Sequence, residues 1–158
     1  MLDGRPGRCL SATVVAALIV AGLAGCGATP GAGTGSTQTR FAALVEAAGK
    51  GDKTVAMTSV THFDWDHGVA VCPRDSVDAV EKLLGAKWPD APRAADDGVA
   101  YVLFAGGDRV VDSIRIKRSA IDPCAGRVPL AKRAFGPTGV FRVSAATGGT
   151  GWMLTPVG

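Results

Sequence analysis

An uninterrupted apolar segment near the amino terminus does most to limit what this chain can fold into. Residues 12–24 read ATVVAALIVAGLA, 13 positions without a charged side chain. A helix needs about 20 apolar residues to cross a bilayer, and a helix of a folded domain shows a polar face, so the segment suits neither. Arg5 and Arg8 precede it, and a positive stretch followed by an apolar one predicts an export signal.

Small residues and a cysteine follow the apolar segment. Leu23-Ala24-Gly25-Cys26 resembles the lipobox of bacterial lipoproteins. The resemblance implies cleavage before Cys26, a diacylglyceryl group on its thiol, and a protein held by that lipid at the outer face of the cell membrane. Residues 1–25 are then the signal peptide and Cys26 is the lipidation site. The alternative is an ordinary signal peptide in which Cys26 has no special role.

The next segment and the overall charge bound the domain. Residues 26–38 are rich in Gly, Thr, Ser and Pro and predict a flexible tether. Removing 25 residues from a chain of 158 leaves 133, which suits a single domain over residues 39–158. The net charge of +3 lacks the concentrated basic footprint of a nucleic-acid-binding protein, so no nucleic acid is expected as a partner. The glycines of the tether follow no strand, and no cofactor is predicted.

Cysteine usage predicts one disulfide. Cys9 leaves with the signal peptide and Cys26 carries the lipid, so Cys72 and Cys124 remain. Two remaining cysteines in an oxidising compartment most simply pair. Their spacing is not the C-x-x-C of a redox motif, and two sulfurs alone are too few for a zinc site.

Hydrophobic periodicity predicts an α+β domain, an antiparallel sheet of hairpins with one or two helices packed on one face. One helix is expected over residues 39–50. A second helix is expected to begin at a cap formed by Asp75 or Ser76 and to end at Gly85. Its core-facing side chains are predicted to be Val77, Val80, Leu83 and Leu84. Strands are expected over residues 54–63 and 68–72, in a hairpin of 101–104 with 110–117, and in a closing hairpin of 141–145 with 152–155. Residues 119–139 look irregular, and within them 130–135 suit a helical turn.

The one dense polar segment is HFDWDH, residues 62–67. On a strand, His62, Asp64 and Asp66 would share a face, and the two aromatic residues between them would face the core. An imidazole and two carboxylates are a competent ligand set for a divalent metal, which His67 could join from a turn. The competing interpretation makes the aromatic residues core and the two aspartates turn residues that bind backbone N–H groups.

A resemblance starts from the same segment. The motif FDWD, followed by a short apolar strand, a proline and a capped helix ending in Leu-Gly, resembles small secreted bacterial lipoproteins, of actinobacterial type, whose function is unknown. The likeness covers about residues 58–118. Many of those proteins have Tyr-Thr after the proline, whereas here Arg-Asp follows Pro73. The resemblance implies an extracytoplasmic domain and no particular activity.

These observations predict a lipid-anchored, non-enzymatic binding or accessory domain of the cell envelope, whose partner is an unknown envelope protein or polymer. Neither G-x-S-x-G nor S-x-x-K occurs in the sequence. The alternative is a metal-binding domain or metal-dependent hydrolase that uses His62, Asp64 and Asp66. Six basic residues would form either a patch for anionic polymers or lipid headgroups, or the solvated face of a hairpin: Arg115, Lys117, Arg118, Arg127, Lys132 and Arg133.

Overall fold

The computed structural model describes residues 34–51, 53–147 and 151–157. The predicted signal peptide, Cys26 and the rest of residues 26–33 lie outside these ranges. The described chain has an α+β fold, as predicted, with two helices and two sheets of four strands each. In chain order the elements are α1 Thr34–Gly49, β1 Thr54–Ala56, a 3-10 turn Met57–Ser59, β2 His67–Val71, α2 Val77–Leu84, β3 Val99–Gly106, β4 Arg109–Lys117, β5 Ile121–Asp122, a 3-10 turn Leu130–Arg133, β6 Ala134–Phe135, β7 Val140–Ala145 and β8 Trp152–Val157.

Both predicted hairpins are confirmed. β3 pairs with β4 and β7 pairs with β8, each antiparallel, and Gly107 supports the first turn because its φ of 63° lies in the left-handed region that glycine adopts freely. The first sheet has the order β1-β7-β8-β5, in which the β5–β8 pair is parallel. The second has the order β4-β3-β2-β6. β5, β6 and the second 3-10 turn all come from the segment expected to be irregular, and that turn confirms the helical turn predicted there.

The second sheet is covered on both faces. Val102 and Phe104 of β3 pack with Phe41 and Val45 of α1 and with the first sheet. Leu103 and its alternate neighbours on β3 face the opposite way, toward Val80 and Leu84 of α2. The helices therefore lie on opposite faces of this sheet rather than on one, because a strand that is apolar at every position needs cover on both sides. Within the described ranges, neither helix combines the length and apolar character required to cross a membrane.

Helix α1 starts earlier than its sequence pattern indicates. It begins at Thr34, so residues 34–38 of the predicted tether are helical. Gly, Ser and Thr are weak helix formers, and composition alone therefore placed the start at residue 39. Thr37 is nonetheless buried, which shows that the first turns of the helix are held by tertiary packing.

Helix α2 agrees with its sequence signals at both ends. The Ser76 hydroxyl accepts a hydrogen bond from the Ala79 N–H at 3.2 Å, and Gly85 ends the helix with a φ of 64°. Val80 and Leu84 are buried as predicted. The inward placement predicted for Leu83 is wrong, since this side chain is 38% exposed.

The long strand predicted over residues 54–63 is also wrong. β1 ends at Ala56, and the chain continues through a 3-10 turn into a loop that reaches β2. The buried residues Val55, Met57 and Val60 do not alternate strictly, and a 3-10 turn turns both Met57 and Val60 toward the core. The residues after the turn therefore do not share faces in the manner of a strand.

Candidate functional site

Residues 62–66 lie in the loop between the first 3-10 turn and β2, and His67 is the first residue of β2. Phe63 and Trp65 face the core, as predicted, and both make edge-to-face contacts with Phe104, at centroid distances of 5.7 and 5.1 Å. The Trp65 indole N–H donates a hydrogen bond to the Thr61 hydroxyl at 2.9 Å. The FDWD motif thus closes one end of the core.

One of the two carboxylates of this segment supports local structure. Asp66 accepts a hydrogen bond from the backbone N–H of Gly107 at 3.0 Å and so ties the loop to the β3–β4 turn. Asp64 is exposed, as are His62 and His67. His62 Nδ1 lies 3.4 Å from a guanidinium nitrogen of Arg40 on α1.

The predicted metal ligands are not brought together. In the part of the chain that the structure describes, no group of three or more His, Cys, Asp or Glu residues is placed to hold a metal ion. His62, Asp64 and Asp66 were expected on one strand face, and the loop removes that alignment. The metal hypothesis therefore stays a prediction without a ligand set in the described structure.

The predicted disulfide is confirmed and defines a different candidate site. Cys72 and Cys124 are bonded, with their Cα atoms 5.9 Å apart. The bond joins the end of β2 to the loop after β5 at an open cleft of about 690 Å³. We call this the disulfide cleft. The two cysteines line this cleft together with seven charged residues: Arg74, Asp75, Asp97, Arg118, Asp122, Arg127 and Arg133.

The floor of the disulfide cleft is a buried ion pair. Both terminal nitrogens of Arg133 donate to the Asp75 carboxylate, at 2.7 and 2.8 Å, and the Arg133 side chain is only 4% exposed. Arg133 also donates to the backbone oxygens of Ala70 and Val128 and contacts Cys72 Sγ at 2.9 Å. The Asp75 carboxylate in turn accepts the Cys72 N–H at 2.6 Å. This network joins β2, the α2 entry and the second 3-10 turn.

A second ion pair forms one wall. Arg118 donates two hydrogen bonds to Asp122, each at 3.0 Å, and a third to the Asp97 carbonyl at 2.8 Å. Hydrogen bonding to Asp122 raises the pKa of Arg118 above its usual range. Asp122 also accepts the Cys124 N–H at 2.8 Å, which attaches this pair to the disulfide.

Two arginines at the rim differ from those of the floor and wall. Arg74 and Arg127 are exposed, and neither forms an ion pair with any of the described residues. Arg127 has a φ of 49° and is the one described non-glycine residue in the left-handed region. That conformation costs about 1 kcal/mol, and the turn that holds it contains a 3.2 Å bond from the Arg127 N–H to the Cys124 carbonyl.

The basic patch predicted from six residues does not form as a set of free cations. Arg133 is buried, Arg118 is paired with Asp122, and Arg115 lies 3.7 Å from Asp96. Lys117, Arg127 and Lys132 are exposed and form no ion pair with any described residue. Of these three, Arg127 lines the disulfide cleft, together with Arg74. Burial decided this outcome, because a pattern of charges along the chain does not show which of them face an acid.

Sequence reasoning missed the central pair of the site. The sequence pattern presents Asp75 only as an alternative helix cap, whereas in the structure Ser76 is the cap and Asp75 binds Arg133. The available signal was an acidic residue three positions after the cysteine expected to form the disulfide. Arg133 had no comparable signal, because its segment has no periodicity.

Comparison with protein-family models, curated proteins and solved structures finds no match for this chain. The class of this protein is therefore described from its own fold and cleft. The described chain is an α+β domain in which a disulfide closes a cleft lined by paired and unpaired arginines.

Proposed function

We propose that this protein is a lipoprotein of the cell envelope, anchored through Cys26 at the outer face of the membrane. The proposal is carried by the lipobox-like segment. It is supported by the Cys72–Cys124 disulfide, because structural disulfides persist in oxidising compartments outside the cytoplasm. The likeness to small secreted lipoproteins with an FDWD motif points to the same location.

The position of α1 bears on how close the domain lies to the lipid. The described helix starts at Thr34, eight positions after Cys26. Eight positions span at most about 29 Å even when the chain is fully extended. In the anchored protein, the domain therefore stays within a short distance of the headgroups.

Lipid attachment is tested by feeding cells an alkyne-bearing palmitate and detecting label on the protein. We expect label on the wild type and none on Cys26→Ser. Cys9→Ser is the matched control and should keep the label, because Cys9 leaves with the signal peptide. Undiminished labelling of Cys26→Ser would overturn the anchor assignment.

For the domain itself we propose a non-enzymatic binding role, in which the disulfide cleft receives an anionic group of an envelope component. The single observation behind this role is that Arg74 and Arg127, 53 positions apart, meet at one cleft without an acidic partner among the described residues. The planar guanidinium fork suits carboxylate and phosphate oxygens, which it binds through two parallel hydrogen bonds.

Anion binding is tested by titrating the full chain in non-ionic detergent with inorganic phosphate and with citrate. Arg74→Gln and Arg127→Gln should each weaken binding by about tenfold, since a charge-assisted hydrogen bond is lost. Arg142→Gln is the control, because Arg142 is an exposed arginine of β7 outside the cleft. Equal affinities for all three variants would contradict the assignment of the cleft.

A second experiment distinguishes a lipid headgroup from a soluble or polymeric anion as the ligand. Anionic and zwitterionic phospholipid vesicles are compared by flotation with the mature chain, residues 26–158, carrying Cys26→Ser, which lacks both the apolar signal segment and the proposed anchor. Flotation with anionic vesicles alone, reduced in Arg74→Gln, would assign a lipid headgroup. Flotation with neither, together with phosphate binding in solution, would assign a soluble or polymeric anion.

A further inference from the structure

The two sulfurs of the disulfide have different surroundings. Cys72 Sγ lies 2.9 Å from the nearest nitrogen of Arg133, whose guanidinium is buried. Cys124 packs partly against the main core cluster and begins a turn whose next three residues, 125–127, are all exposed. Both cysteines are half-buried and line the open disulfide cleft. The feature that distinguishes the two sulfurs is therefore the buried cation beside Cys72.

The cation favours one direction of bond cleavage. In thiol–disulfide exchange, the sulfur that leaves takes the electron pair and becomes a thiolate, and the thiol of lower pKa leaves faster. An adjacent arginine stabilises a thiolate because its charge persists at every accessible pH. Asp75 offsets part of that charge, but it also holds the guanidinium through two hydrogen bonds, so the nitrogen beside Cys72 Sγ is already in place.

Charge at the rim draws a thiolate to the cleft without selecting a sulfur. Arg127 follows Cys124 by three residues and Arg74 follows Cys72 by two, and neither side chain has an acidic partner among the described residues. An exposed cation raises the local concentration of an approaching thiolate. The direction of cleavage therefore depends on Arg133, which favours departure at Cys72 and hence attack at Cys124.

From these contacts we propose that Cys124 is a modification site, the sulfur at which an external thiol attacks and becomes attached. The attacking thiolate forms a bond to Cys124 Sγ, the Cys72–Cys124 bond breaks, and its electron pair remains on Cys72 Sγ beside Arg133. A second thiolate then attacks the external sulfur and releases Cys124 as a thiolate. The two external thiols are oxidised to a disulfide, and the protein disulfide is reduced by two electrons. The reactant class is a low-molecular-weight thiol or a dithiol protein, and the inference is independent of the lipid anchor and of anion binding.

The inference is tested on the oxidised wild-type full chain in detergent. Any free thiols are first blocked with N-ethylmaleimide, glutathione is added briefly, and new thiols are trapped with iodoacetamide. Mass spectrometry of the Cys72 and Cys124 peptides then shows which sulfur carries glutathione and which carries the trap. We expect glutathione on Cys124 in an excess of at least about tenfold, because a hydrogen bond to a charged group favours Cys72 as the leaving thiolate.

A variant tests whether Arg133 causes the selectivity. Arg133→Lys keeps the charge, but a compact ammonium does not reproduce the fork that reaches both Asp75 and the sulfur, so the excess should fall by about threefold or more. Arg142→Lys, outside the cleft, should leave it unchanged. Glutathione found mainly on Cys72, or equally on both cysteines of the wild type, would overturn the proposal even if Arg133→Lys fails to fold.

Discussion

Replacement of Arg133 by alanine should lower the free energy of unfolding by about 3–5 kcal/mol, because it leaves the Asp75 carboxylate in a largely buried position without its cation. The substitution also removes donors from the Ala70 and Val128 carbonyls. The Asp75 side chain is 13% exposed, so little water reaches the group that loses its partner. Urea unfolding of the oxidised chain in non-ionic detergent, followed by the fluorescence of the buried Trp65 and Trp88, measures the change.

Arg118→Ala is the matched control for this prediction. Arg118 has a similar two-bond contact with Asp122, but its side chain is 29% exposed and water replaces part of what is lost. We expect a decrease of about 1–2 kcal/mol. A loss for Arg133→Ala no greater than that for Arg118→Ala would show that burial of the floor pair contributes nothing extra.

Loss of the disulfide should lower the free energy of unfolding by about 4 kcal/mol. Cys72 and Cys124 are separated by 52 positions, and closing a loop of this length removes a large part of the entropy of the unfolded chain. The measurement compares urea unfolding of the oxidised wild type with that of the double variant Cys72→Ser and Cys124→Ser.

Reductant provides the control for the disulfide prediction. Dithiothreitol should lower the stability of the wild type to about that of the double variant and should leave the double variant unchanged. A difference below about 1 kcal/mol between oxidised and reduced wild type would mean that the unfolded chain is already compact without the bond.

Elements whose signals are local could be predicted closely from the sequence. The α2 helix starts at a serine cap and stops at a glycine, and both signals act through hydrogen bonds or backbone freedom within one turn. The β3–β4 hairpin was similarly evident, because Ile114 and Ile116 alternate with charged residues and the turn contains two glycines. The disulfide followed from cysteine arithmetic.

The loop at residues 57–66 shows where that reasoning failed. A run rich in Val and Thr favours a strand, but Met57 and Val60 reach the core through a 3-10 turn, and Trp65 anchors the loop against Phe104. Packing against residues distant in sequence overrode local preference. The metal hypothesis required His62, Asp64 and Asp66 to share one face of a strand, and the loop removes that alignment.

The candidate site was the least accessible to sequence reasoning. Asp75 and Arg133 are 58 positions apart, and neither lies in a sequence motif that predicts the other as its ion-pair partner. In the sequence, the arginines of residues 115–133 form one basic group. In the structure, the loops that the fold brings near each arginine decide whether it has an acidic partner. Arg74 and Arg127 line one cleft because the fold brings the end of β2 and the loop after β5 together at the disulfide.

The sequence by itself determined the α+β class, the hairpins, the capped helix and the cysteine pair, because these depend on hydrophobic period and on turn chemistry within a few residues. Only the tertiary structure decided that the helices cover opposite faces of one sheet, that residues 62–66 form a loop, and that Arg133 is buried against Asp75. These outcomes depend on contacts between distant segments, and the free energy of burying a charge or an aromatic ring is set by those contacts rather than by neighbours along the chain.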